Sequence, residues 1–344
     1  MPSFYPRTAV TTFAFLFMML IVILIAAEVF TNALEHLGEK LKISEGVTGS
    51  LFAAIGTALP ETMVPLLAIM AGTDNTRLNE EIGVGAILGA PLMLSTLSLC
   101  LMALSVLKKR GWSGHLAPEK TGLTRDLNFF LAAFAFSALA LFVPHQHTAA
   151  RAAIGFTLVL TYFVYIMLTL RASAQLVKDG HGTAAEEPMF LCRIGLPAKL
   201  PVILLQLALG LMLLVGGAKG FIHGVESASQ LLGISPLLLS LLIIPIATEL
   251  PEKVNSILWI RRRKDTLAFG NITGAMVFQG TLLPAIGIML TPWEPRQEVL
   301  AGVLITILAA LWLRLMSARG QIRVWHLGLN GALYVTFLSI ALSS

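Results

Sequence analysis

The sequence predicts an all-α membrane protein of about ten transmembrane helices, arranged as two inverted five-helix repeats. Three observations predict it: apolar runs of membrane-crossing length, a one-sided distribution of Lys and Arg between the loops, and a short polar motif that occurs once in each half.

The apolar runs come first. Of the 344 residues, 56% are hydrophobic and only 12% are charged, and the mean hydropathy is +0.81. A soluble domain of this size needs far more charged surface to stay dispersed. Runs of roughly 20 apolar residues match a hydrocarbon core about 30 Å thick when coiled as helices. They place spans near 8–28, 46–72, 82–107, 126–144 and 149–170, then near 198–222, 234–260, 266–291, 297–316 and 324–342. The first run has Arg7 as its only preceding basic residue and ends in acidic rather than small residues, so it is expected to be a span and not a cleaved signal. Cys100 and Cys192 suggest neither a disulfide framework nor a metal cage. The expected organisation is a first five-helix repeat over 1–170, a cytoplasmic connector over 171–197 and a second, inverted repeat over 198–344.

The loops fix the orientation. One set carries 18 Lys and Arg, from Lys40 and Lys42 through Lys108-Lys109-Arg110 and Arg261-Arg262-Arg263-Lys264 to Arg323. The other set carries five: Arg7, Arg77, Arg151, Lys219 and Arg296. The richer side is expected to be cytoplasmic, which puts both termini outside a cytoplasmic (inner) membrane. The formal charge of +5 is then a property of cytoplasmic loops facing lipid, and no nucleic-acid partner is implied.

The duplicated motif carries the chemistry. Leu41-Lys42-Ile43-Ser44 aligns with Leu232-Gly233-Ile234-Ser235, and the same register sets Thr57-Ala58-Leu59-Pro60-Glu61 on Thr248-Glu249-Leu250-Pro251-Glu252. Gly85-Ala86-Ile87-Leu88-Gly89-Ala90 then falls on Gly270-Asn271-Ile272-Thr273-Gly274-Ala275. With five spans in each half, the second is inserted upside down relative to the first, and the substrate site is expected where the polar, proline-interrupted helices meet. A carboxylate at bilayer depth costs about 2.5–3.5 kcal/mol, so Glu61 and Glu252 need a partner, a water-filled cavity or an ion. Pro60 and Pro251 donate no backbone hydrogen bond, which frees carbonyls one turn earlier. Carbonyls, threonine hydroxyls and two carboxylates form an all-oxygen set suited to a hard cation such as Ca²⁺, which takes roughly 6–8 such ligands.

GTALPE and ATELPE, each followed by a glycine-spaced helix, resemble the two α-repeats of the Ca²⁺/cation antiporter superfamily, the sodium/calcium exchangers. The resemblance implies that Glu61 and Glu252 bridge the transported Ca²⁺, with Thr57 and Thr248 completing the cation sites. Glu249 stands where the family has serine in the second motif, and Gln279 stands at its last polar position, so both join the candidate ligands. Ala58, Ala90, Pro91, Leu94, Ala275 and Met276 replace oxygen-bearing family residues. Proton coupling therefore competes with sodium coupling.

Lys253 follows Glu252 and stands four residues after Glu249, within reach on one helical face. Either the two form an intramembrane ion pair, or the ammonium occupies or gates the place of a monovalent cation. The glycine pairs are expected to serve close packing against the broken helices, and Asn255 and Asn271 to support the site or ligate directly.

Together these features imply a secondary antiporter exchanging Ca²⁺ for Na⁺ or H⁺ by alternating access, with no cofactor and no required protein partner. The alternatives are an H⁺-coupled exchanger of another cation and a transport-inactive sensor or scaffold. An intramembrane enzyme would need a nucleophile or a histidine set beside the glutamates, and the sequence supplies neither.

Overall fold

The structure is a computed structural model, and it describes residues 9–40, 53–71, 74–177, 188–320 and 322–343. Eight helices among these residues are long and apolar enough to cross a membrane. They coincide with eight of the predicted spans. The other two predicted spans, 46–72 and 234–260, fall on shorter elements: α2 (Ala53–Ala71), and a pair of helices, α9 (Pro236–Thr248) and α10 (Leu250–Arg261).

Most helices outrun the apolar stretches that predicted them. The first, α1, covers Ala9–Lys40, and α8 covers Leu200–Leu232, ten residues beyond the predicted end at 222. What stops α8 is backbone geometry and not the fall in hydropathy. Gly233 takes a left-handed φ of 68° and its N–H returns to the Ser229 carbonyl at 3.0 Å, a stop that glycine reaches without a Cβ penalty.

The described residues pack as two units, one within Met1–Asn79 and Leu170–Pro236, the other within Glu80–Thr169 and Leu237–Ser344. In the first unit α1 and α8 lie along each other and α2 contacts both. Close approach is permitted by glycine: a Cβ on Gly210 would lie 3.0 Å from the Phe30 backbone, and one on Gly224 2.6 Å from the Leu16 side chain. A polar pin crosses the same seam. Gln206 Nε2 donates to Asn32 Oδ1 at 2.9 Å and to the Val29 carbonyl at 3.1 Å. The two amide oxygens in turn accept the N–H groups of Phe190 and Leu191, satisfying the start of the short helix α7 (Phe190–Arg193). Between apolar helices such satisfied amides fix register, since sliding would strand them in hydrocarbon.

The second unit is built on a rod of α3 (Thr76–Met93), a π-helical turn at Leu94–Ser98 and α4 (Leu99–Arg110). Pro91 lies one turn before the π segment, and such turns leave backbone groups unmatched within the helix. Asn330 of α13 (Val324–Ser343) repairs this, donating to the Ser95 carbonyl at 2.7 Å. Against the rod pack α13, α11 (Asp265–Leu290) and α12 (Gln297–Ala318), with Leu92, Met93, Leu241, Ile305 and Phe337 among the buried apolar residues. The helix α5 (Lys120–Leu139) packs on α11 and α12, and α6 (Thr148–Val177) meets α11 where Gly155 faces Met289.

The predicted loop sets stay together in this unit. At one end, β1 (His115–Leu116) pairs antiparallel with β2 (Ile322–Arg323). Arg110 forks onto both oxygens of Asp265 at 2.7 and 2.8 Å. Beside them, Glu119 caps α5 by accepting from Gly122 and Thr121, each at 2.6 Å, and those backbone donors, Gly122 foremost, hold its carboxyl below the ordinary range. At the other end, Arg296 meets Glu81 at 2.9 Å. There the buried guanidinium of Arg151 donates to the carbonyls of Ile288, Thr291, Pro292 and Val143, closing the C-terminus of α11 as a cation should.

Of the two glycine pairs, Gly85 and Gly89 do pack on a broken helix. A Cβ on Gly85 would lie 2.5 Å from the Leu237 carbonyl oxygen, and one on Gly89 would lie 2.7 Å from Pro245 Cγ. Gly274 has only the Tyr165 hydroxyl near it, at 3.7 Å, and Gly270 has nothing within 4 Å among the described residues. Gly89→Leu is therefore expected to destabilise the protein by about 1–3 kcal/mol through overpacking, read as an earlier loss of the monodisperse peak in heated detergent samples.

Candidate cation site

The site is best seen where the seventh predicted span breaks. α9 ends at Thr248, Glu249 turns with φ −89° and ψ 6°, and α10 begins at Leu250 with Pro251 in its first turn. That is the helical position where a missing N–H costs least. Helical hydrogen bonds from the Glu249 N–H to the Pro245 carbonyl at 3.2 Å and from the Lys253 N–H to the Glu249 carbonyl at 3.1 Å flank the turn, so the interruption is confined to one residue inside an apolar segment.

Four polar side chains gather at this break. Glu249 is fully buried, and its Oε1 accepts from Nε2 of Gln279, itself fully buried on α11. Thr248 is 3% exposed and donates to the Ile244 carbonyl of its own helix at 3.1 Å, which leaves its oxygen able to accept or ligate. Lys253, 7% exposed, reaches back across the break and places Nζ 2.8 Å from the Pro245 carbonyl oxygen. That same oxygen accepts the Glu249 N–H at 3.2 Å. One turn further along, Asn271 Nδ2 donates to Ser256 Oγ at 3.0 Å, a second tie between α11 and α10, while Asn255 is exposed.

Of the six residues expected to hold the cation, the structure brings Glu249 and Gln279 into contact, with Thr248 next to Glu249 in the chain. Glu61 is buried, at 5% exposure, on α2 in the other unit. Thr57 and Glu252 lie on helical backbone, and their side chains fall outside the described residues. Among the described residues there is no group of three or more His, Cys, Asp or Glu placed to hold a metal ion. Around the break, oxygens come instead from one carboxylate, one amide, one hydroxyl and backbone carbonyls, a hard-donor set.

Two buried carboxylates, Asp126 and Asp265, escaped the sequence reading because they sit at the edges of predicted spans. Asp126, 4% exposed, accepts from Thr273 Oγ1 at 2.8 Å and from the Tyr165 hydroxyl at 3.1 Å, with Arg125 at 3.3 Å. It ties α5, α6 and α11 together. Its adjacency to Arg125 was visible in the sequence; its partners, 39 and 147 residues away, were not.

Comparison with known proteins bears on the whole chain. Residues 11–171 and 202–343 match the family model described as sodium/calcium exchanger protein. CaxA of Alkalimonas amylolytica is 27% identical over 279 residues, covering 79% of this chain and 79% of that protein. Among solved structures, the H⁺/Ca²⁺ exchanger CAX superposes with a TM-score of 0.66 at 16% identity, over 95% of this chain and 81% of that one. The sodium-calcium exchanger NCX_Mj superposes with a TM-score of 0.55 at 20% identity, over 96% of this chain and 99% of that one. At these identities the two structures speak for a shared helical membrane fold alone.

Proposed function

Because the chain belongs to the sodium/calcium exchanger family, we propose that it is a secondary antiporter that carries Ca²⁺ across the cytoplasmic membrane in exchange for Na⁺ or H⁺. The observation that carries the reading is the break at Glu249, where a carboxylate, an amide and helix-end carbonyls are buried in a segment otherwise apolar. A soluble or purely structural helix has no use for such a break in hydrocarbon, since each polar group there must be compensated.

In this reading the cation bridges Glu61 and Glu252, with Thr57, Thr248, Glu249 and Gln279 supplying further oxygens. The two repeats, 1–170 and 198–344, present these residues from opposite sides, and the site opens alternately to either face. Exchange is obligatory because carboxylates left bare at bilayer depth cost about 2.5–3.5 kcal/mol each. Both termini lie outside, by the Lys/Arg imbalance of the loops. Proton coupling gains support from Ala58, Ala90 and Leu94, which remove side-chain oxygens that a set of sodium sites would use.

Radiolabelled Ca²⁺ uptake into proteoliposomes tests it, first under an imposed Na⁺ gradient and then under a pH gradient. Uptake driven by one gradient names the coupling ion. Absence of uptake under both, with Ca²⁺ binding retained, would identify a transport-inactive sensor.

A further inference from the structure

The carboxylates buried in the second unit differ in how their charge is met. Asp265 has Arg110 on both its oxygens and Asp126 has Arg125 beside it. Each pair is locally neutral. Glu249 has an amide on one oxygen, and the positive charge nearest to it along the helix is Lys253, whose ammonium rests on the Pro245 carbonyl. A charge buried at this depth persists where it offsets opposite charge. Capping alone would be met by a hydroxyl or an amide; a full charge points to a charge-balancing task.

We propose that Lys253 is a tethered cation that sets how many counter-ions the exchanger moves. The inference rests on the antiporter reading above. Glu61, Glu252 and Glu249 together bring three negative charges, and Lys253 brings one positive, so the site stands at two negative. One Ca²⁺ neutralises it in one direction, and two monovalent cations, Na⁺ or H⁺, neutralise it in the other. Exchange of one Ca²⁺ for two monovalent charges moves no net charge. Without the ammonium the site stands at three negative, and its return calls for a third counter-charge.

The test is steady-state Ca²⁺ accumulation in proteoliposomes whose membrane potential is clamped with potassium and valinomycin. The wild type is expected to be insensitive to the potential. Lys253→Met should make the Ca²⁺ ratio shift about fiftyfold for an imposed potential of about 100 mV, one elementary charge per cycle. Adding Glu249→Gln to Lys253→Met removes one charge of each sign, restores two negative and should abolish the sensitivity. The double variant replaces both ionic groups with neutral side chains of similar size, a change that buried pairs tolerate, so it reports even where the single variant folds poorly. A purely structural lysine would not yield this loss and recovery. A wild type that responds to potential, or a Lys253→Met that does not, overturns the proposal while leaving Ca²⁺ exchange intact. A wild type that takes up no Ca²⁺ under either ion gradient overturns the antiporter reading itself.

Discussion

Glu61→Gln and Glu252→Gln are each expected to lower gradient-driven Ca²⁺ uptake about a hundredfold or more, the scale set by one carboxylate's share of the 2.5–3.5 kcal/mol that a charge must recover at bilayer depth. The substitution keeps size and one acceptor oxygen, so packing is little disturbed and the loss reports charge. Glu61 tests this well, because its burial on α2 leaves a neutral amide room to stay in place. Uptake is measured per milligram of reconstituted protein, with monodispersity in detergent showing that both variants fold. Equal losses in the two variants fit residues that act on one ion. A large loss in one alone would assign the site to a single half of the chain.

Asp265→Asn is the substitution expected to cost most in stability, about 3–5 kcal/mol, the penalty for breaking one side of a buried ion pair. Arg110 and Asp265 make a two-pronged contact and both are largely buried, at 9% and 10% side-chain exposure. The same guanidinium donates to the Ile260 carbonyl at 2.5 Å, and Asp265 Oδ2 also accepts the Ala117 N–H at 2.9 Å. One pair therefore joins the end of α4, the end of α10, the start of α11 and the loop leading to α5. Asparagine keeps the shape, loses the charge and presents an amide donor to a guanidinium that only donates. A fall in the midpoint of thermal aggregation without loss of per-molecule Ca²⁺ affinity is the expected signature. A change in affinity at unchanged stability would give the pair a role in binding instead.

Much of this architecture can be read from the amino acids, and the reasons differ by feature. Apolar runs and the Lys/Arg imbalance report the solvent, so the membrane class and the approximate helix positions follow from them. The helix termini do not, because they depend on local stops such as Gly233, and α8 runs on past the apolar stretch until it meets that glycine. The break at Glu249 was written in Pro251, although as a freed carbonyl and not as a one-residue turn between two helices. Gly85 and Gly89 announced a close crossing, and the helix they meet is the broken one.

What could not be read is the set of long-range side-chain contacts. Asp126 with Thr273 and Tyr165, Asn330 with the π-turn carbonyl, and Arg151 with four carbonyls all depend on how neighbouring helices are rotated and staggered. Hydrophobic periodicity gives a helix its face but not its partner's register. Pairing Glu249 with Gln279 needed the same information, and the motif alignment had placed both residues among the ligands without saying that they touch each other.

The central claim is that Glu61 and Glu252 hold one cation between them, and calorimetric Ca²⁺ titration of four purified proteins tests it most directly: wild type, each single Gln variant and the double variant. The account predicts one Ca²⁺ per wild-type chain and a loss of affinity in either single variant nearly as great as in the double. Losses that simply add, or a single variant that still binds Ca²⁺ with wild-type affinity, would contradict it.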